Sequence, residues 1–152
     1  MITEDYVSFE TAKLLKEKGF DAECKKYYTL KMLSNLYYGC EYVRNRDLKD
    51  EDDCIAPSLW MAMKWLREVH NVLVIPDYDY ECTDKSYCYK IYRLGESGKP
   101  ERVPIYGQHY RLDGEPCTDV VGYRDYERSY SDYATYEESC EAAIKYCLEN
   151  LI

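Results

Sequence analysis

The sequence predicts an α+β fold, and three observations carry that prediction. Apolar residues recur at helical spacing near both ends and in the middle of the chain, the spacing changes to a period of two from Tyr78 onward, and glycine, proline and Asp-Gly breaks divide that stretch into strand lengths. At 152 residues the chain fits a single domain, residues 1–152, large enough to bury a core without metal or disulfide support. The expected architecture is a largely antiparallel twisted sheet packed against about three helices.

The first helix should begin after Ser8, with Glu10 in its first turn, Val7, Thr11, Leu14, Leu15 and Lys18 at helical spacing, and Gly19 as the left-handed stop. Tyr27–Met32 and Leu36–Val43 read as two strands turning at Ser34-Asn35. The run Asp47–Asp53 (DLKDEDD) holds five acids and one lysine, so it reads as a solvated, mobile loop. Its alternatives are a docking patch for a basic partner or a weak cation site, although the glycine and spaced oxygen ligands of a calcium loop are missing.

Ser58 is placed to cap a second helix, in which Leu59, Ala62, Met63, Leu66 and Val69 form a stripe widened by Trp60, Met61 and Trp65. That width predicts the most buried helix of the domain, ending at Asn71. Val72–Ile75 reads as a short buried strand before Pro76. Beyond Tyr78, Tyr87, Tyr89 and Ile91 should share one strand face and Cys88, Tyr92 and Leu94 the other, with a turn over Gly95–Pro100. Val103–Tyr110 returns antiparallel, followed by a turn at Leu112-Asp113-Gly114-Glu115, while Pro104 and Pro116 mark edge strands.

Val120–Tyr133 satisfies two patterns, since Tyr123, Tyr126, Tyr130 and Tyr133 recur at helical intervals of three, four and three. A strand is preferred, because the next helix has its own start in the capping box Thr135-x-x-Glu138. Tyr136, Cys140, Ala143, Ile144, Cys147, Leu148 and Leu151 line the apolar face of this last helix, and Glu141 and Lys145 are spaced as an i, i+4 pair.

The segments ETAKLLKEKGFD (Glu10–Asp21), MKWLREVHN (Met63–Asn71) and TYEESCEAAIKYCLENLI (Thr135–Ile152) resemble a family of short uncharacterised proteins of anaerobic gut bacteria, their phages and other mobile elements. The resemblance implies an accessory or mobile-element setting; it supplies no activity and no functional residues.

A net charge of −9 works against an electrostatic grip on nucleic acid or anionic lipid. The opening MITEDYVSFE lacks the basic start and apolar stretch of a secretory signal, and no run approaches the ~20 apolar residues of a membrane span. The eight cysteines are therefore expected as reduced thiols in a cytoplasmic protein. Their spacing gives no zinc motif, and Cys140 and Cys147 fall on an apolar helix face, where cysteine serves as a small hydrophobe. Of the two histidines, His70 should carry positive charge favourably at a helix C-terminus. His109 would need to reach Cys88 or Cys82 across a hairpin to make a nucleophilic pair. No glycine-rich phosphate loop is present, so no catalytic residue, cofactor or metal is expected.

Nineteen tyrosines against two phenylalanines supply the functional expectation. Tyrosine combines a large contact area with a polar tip and suits recognition surfaces, so the expected function is non-catalytic binding of a protein partner through a tyrosine-rich face containing Tyr87, Tyr89, Tyr123 and Tyr126. The alternatives are an acidic inhibitor that mimics nucleic acid and an enzyme without a familiar motif.

Overall fold

Hydroxyl caps start the three α-helices of the described residues. The computed structural model describes residues 4–29, 35–79, 86–110, 114–128 and 133–152. Within them α1 spans Phe9–Glu17, α2 Leu59–His70 and α3 Tyr136–Asn150. Ser8 Oγ accepts from Thr11 N at 3.3 Å, Ser58 Oγ from Met61 N at 3.4 Å and Thr135 Oγ1 from Glu138 N at 3.1 Å, each satisfying an amide that the helix leaves unpaired. Asn71 closes α2 in the left-handed region at φ 57°, and Gly19 follows α1 at φ 89°.

The described residues also form eight strands: β1 Cys24–Thr29, β2 Asn35–Val43, β3 Cys54–Ile55, β4 Val72–Asp79, β5 Ser86–Arg93, β6 Val103–Tyr110, β7 Pro116–Arg124 and β8 Glu127–Arg128. Pairing is antiparallel throughout, and the α+β class is the expected one. The strands divide among a β2-β1-β3 sheet, a β4-β5-β8 sheet and a β6-β7 hairpin. The short strand read at Val72–Ile75 continues to Asp79 through Pro76, which is tolerated because β4 is an outer strand whose amides need not all find partners. Pro104 and Pro116 occupy a two-stranded hairpin, where both strands are edges. The stretch after Val120 is strand through Arg124 and again at Glu127–Arg128, so Tyr123 and Tyr126 do not belong to a helix. Ser34, Cys82, Leu112, Asp113 and Tyr130 lie outside the described residues, and with them part of the two expected turns; Gly114 turns at φ 84°.

Two α-helices pack against the β4–β5 pair, and α1 leans on α3 and β3. The most buried helix is α3 and not α2. Ser139, Cys140, Ala143, Ile144, Cys147 and Leu148 have no exposed surface, whereas α2 buries Leu59, Ala62 and Leu66 and leaves Trp60 and Val69 at 63% and 58% exposure. Trp60 instead carries Lys64 Nζ over its ring at 5.3 Å, a contact that holds the cation in solvent. Tyr136, expected on the apolar face of α3, is also exposed and meets Tyr87 edge-on.

The pair Glu141 and Lys145 is used across helices. Glu141 Oε1 accepts from Ser8 N at 3.0 Å and Ser8 Oγ at 2.6 Å, while Lys145 Nζ donates to Glu10 Oε2 at 3.0 Å. The N-terminus of α1 is thus fastened to the middle of α3, with a carboxylate at the positive end of the α1 dipole.

Beyond a 3₁₀ turn over Asn45–Asp47 the acidic run is the loop that its composition suggests, with Asp47, Lys49, Glu51 and Asp52 exposed, and it is fastened at both ends. Asn45 holds it at one end, donating to Phe20 O at 2.6 Å and accepting from Ile55 N at 3.0 Å. Lys16 Nζ holds the other, donating to Glu51 O at 2.6 Å and Asp53 O at 2.7 Å. Asp53 is buried as a result.

Cys24, Cys54, Cys88, Cys140 and Cys147 are free, buried thiols. Burial raises Cys24, Cys54 and Cys140 to about 11 and Cys147 to about 12, against 9.0 for an unburied thiol. No helix of the described residues is long and apolar enough to cross a membrane.

Two outcomes follow from this core. Ile144→Ala should cost roughly 2–5 kcal/mol in a urea titration, with the chain cut before Thr135 losing its cooperative transition altogether. The thiols ionise near 9.0 once unfolded but only near 11 or above when folded, so deprotonation favours the unfolded chain. The urea midpoint should therefore hold through neutral pH and fall as pH rises from 9.0 through about 11, and replacing Cys147 with alanine should lessen that fall.

Candidate functional site

Among the described residues the β1–β2 ribbon carries the most exposed tyrosines, Tyr37, Tyr38 and Tyr42, and its irregular register shapes that display. Lys26 pairs with Tyr38, but the next pair is Cys24 with Val43, so Lys25 alone stands opposite the four residues Gly39 to Tyr42. A bulge of this kind bends the strand and redirects its side chains. Gly39 permits it, since a Cβ there would lie 3.2 Å from Lys25 O and 3.4 Å from the Tyr27 ring. Tyr38 and Tyr42 emerge on either side of this glycine at 61% and 62% exposure.

Around them lies a cleft of about 330 Å³, floored by Cys24, Ala56, Pro57 and Met61 and walled by Tyr6, Tyr38, Tyr42 and the two lysines. Lys26 Nζ stands 3.6 Å from the Tyr6 ring centre and 5.8 Å from that of Tyr38, and Lys25 Nζ 4.8 Å from that of Tyr42. These cation–π contacts set three rings beside two ammonium groups. Tyr6 donates to Glu4 Oε2 at 2.8 Å, and its hydroxyl is raised to about 12 by burial first and by the Glu4 carboxylate second. Glu23 on the rim pairs with Arg44 at 3.0 Å. The cleft combines flat aromatic faces, fixed cations and rim carboxylates, which suits it to binding. The Cys24 thiol beneath, raised to about 11, is a poor nucleophile at neutral pH.

The four tyrosines expected to form the binding face are dispersed. Tyr89 is buried, stacked on Tyr133 at 6.0 Å and close to Tyr146 at 6.4 Å, and burial raises its hydroxyl strongly. Tyr87 is half-buried beside Tyr78 and Tyr136, with its backbone paired to Tyr133. Tyr126 lies on the opposite face of β5, against Tyr92 at 5.4 Å and Lys90 Nζ at 5.2 Å. Only Tyr123 is well exposed, on the hairpin under Arg102 at 6.0 Å. Period-two reading separated the two faces of β5 correctly, but both faces are covered, as buried Cys88 and Tyr89 show.

The catalytic leads fare no better. His70 has its ring against Trp65 at 4.4 Å and a buried Nε2 without a hydrogen-bond partner among the described residues, and burial followed by Lys18 lowers its pKa. It packs as a neutral ring, contrary to the charged helix-end role expected. His109 pairs with Cys117 in the β6–β7 hairpin, a different sheet from Cys88, so strand pairing does not join His109 and Cys88. No three histidine, cysteine or carboxylate side chains converge as a metal site among the described residues.

The Tyr87→Ser/Tyr89→Ser double variant should consequently lose about 3 kcal/mol or more of stability by thermal or urea melting, as expected of one buried and one half-buried ring. Gly39→Val should also destabilise, by roughly 1–3 kcal/mol, because its side chain meets Lys25 O. No family model, curated protein or solved structure matches this chain.

Proposed function

We propose that the protein is a non-catalytic binding module that engages a protein partner through the β1–β2 cleft. The observation that carries this reading is the set of exposed rings at Tyr38 and Tyr42 held in place by Lys26 and Lys25. Rings already ordered by cation–π contacts lose little side-chain freedom when they bind, and tyrosine and flanking charge are the typical composition of an interface core and rim. Mimicry of nucleic acid is less well supported, because it requires carboxylates presented free at phosphate-like spacing. Here Asp21, Glu23, Asp77, Glu10 and Glu127 are paired with arginine or lysine.

The test is a photo-crosslinking amino acid placed at Tyr42, with capture from the native cell, compared with the same capture by a Tyr38→Ser/Tyr42→Ser variant used as competitor. The parent chain should compete fully and the double variant should not, while its melting midpoint stays close to that of the parent. Equal competition by both chains would remove the cleft from the interface.

A further inference from the structure

An open groove of about 500 Å³ lies between the segment ahead of α1 and the helix α3, and Tyr6 borders both this groove and the β1–β2 cleft. Its walls are held by hydrogen bonds. Val7 N donates to Pro57 O at 3.1 Å and Leu59 N to Asp5 O at 3.0 Å, while Glu141 Oε1 holds Ser8 from the α3 side. Tyr133 also borders the groove, with its backbone paired to that of Tyr87. The floor is largely apolar, made by Leu59, Ala142, Tyr6 and Tyr133. Walls that are already ordered lose little freedom when a ligand arrives, and the volume falls in the range of about 300–1,000 Å³ usual for binding clefts.

The border of this groove is acidic. Asp5, Glu137, Glu138 and Glu141 stand against one base, Lys145, which is bonded to Glu10 at 3.0 Å and also lies within electrostatic reach of Glu141. Glu138 commits Oε2 to Ala134 N at 3.0 Å, and Glu141 commits Oε1 to Ser8. Asp5 and Glu137 are exposed, and their carboxylates have no basic partner among the described residues. Glu137 and Glu138 also complement the amide end of α3, which offsets part of their charge, whereas Asp5 belongs to no helix. Negative charge around an apolar floor complements a cation with apolar neighbours, and the net charge of −9 draws such a partner from a distance. A small free cation leaves the floor unused, and no three acidic side chains converge as a metal site among the described residues. A polypeptide segment with both apolar and basic side chains uses floor and border together.

We propose that this groove binds a basic, amphipathic segment of a partner polypeptide, with an apolar side chain on the Leu59 and Ala142 floor and lysine or arginine beside Asp5 and Glu137. The apolar anchor supplies most of the affinity, and the charges at the border select the partner and speed its association. The β1–β2 cleft, walled by lysines, is a surface of different chemistry, so this site holds or fails independently of the partner-binding reading given to that cleft.

Amide chemical shifts of the ¹⁵N-labelled full chain would be followed during addition of an N-acetylated, C-amidated peptide of lysine and leucine at helical spacing. Its analogues carry glutamine for lysine, glutamate for lysine, or serine for leucine. Saturating shifts centred on Asp5, Ser8, Leu59 and Ala142 are expected with the lysine-leucine peptide, with affinity about fivefold or more weaker for each analogue and falling as salt is raised. Asp5→Asn/Glu137→Gln should weaken binding about threefold to tenfold. Glu51→Gln/Asp52→Asn, which removes two exposed carboxylates outside the groove, should leave affinity within about twofold of the parent. If a melt shows the first double variant unfolded, Glu137→Lys replaces it, with a weakening of about threefold or more expected. Absence of saturation, shifts centred elsewhere, an analogue that binds as tightly as the lysine-leucine peptide, parent-like affinity in the folded test variant, or equal loss in the Glu51 and Asp52 control would overturn the proposal. So would dimerisation of the free chain in sedimentation that Asp5→Asn/Glu137→Gln abolishes, since the groove would then belong to a second copy.

Discussion

The apolar stripe of α3 is the constraint on which the other elements depend, because α1, α2, β4 and β5 all pack on that helix. Its six fully buried residues are mostly small or medium in size, Ser139, Cys140, Ala143, Ile144, Cys147 and Leu148, so helices and strands approach the axis closely. Cysteine does the same work as alanine or valine here, filling volume without a committed polar partner. The larger aromatic groups sit at the margins, where Tyr133 and Tyr146 bracket Tyr89 and where Phe20 meets Trp65 edge-on at 5.4 Å. Tyrosine therefore has two uses in this protein. Some rings seal the core margin, with the Tyr146 hydroxyl returning to Glu127 at 2.8 Å, and others stand in the solvent beside lysine.

What was legible in the sequence was local. Ser8, Ser58, Thr135, Gly19 and Asn71 act on amides within a turn of themselves, so their residue types announce helix ends without reference to the rest of the chain. Strand positions after Tyr78 were similarly readable from the period of two. The failures all involve partners distant in sequence. Trp60 belongs to an apolar pattern but faces solvent because no element is packed over it there, and Glu141 and Lys145 have ideal spacing for each other yet reach Ser8 and Glu10. The acidic run is held by Lys16 and Asn45, neither of which its own composition reveals.

The proposed binding surface was hidden for the same reason. Lys25 and Lys26 lie 11 to 17 residues from Tyr37, Tyr38 and Tyr42, and only the hairpin register brings cations and rings together. Lys25 and Lys26 lie just ahead of the strand expected at Tyr27–Met32, since β1 begins earlier, at Cys24, and the four-to-one bulge that turns Tyr42 outward has no marker except Gly39. A tyrosine count alone favours whichever strand alternates most regularly, which here is β5, a strand covered on both faces.

The β6–β7 hairpin stands apart from this economy of contacts. Of its residues whose side chains are described, none enters the buried core, and Ile105, Val120 and Tyr123 remain exposed. Opening it breaks strand-to-strand hydrogen bonds while Ile105, Val120 and Tyr123 are already in solvent, the pattern expected of a sub-global unfolding unit of low free energy. In evolutionary terms this uncouples the ribbon from the requirement to fold. Substitutions there are filtered by backbone pairing and by whatever the ribbon meets, leaving it free to change its surface at a rate that the α3-centred core does not permit.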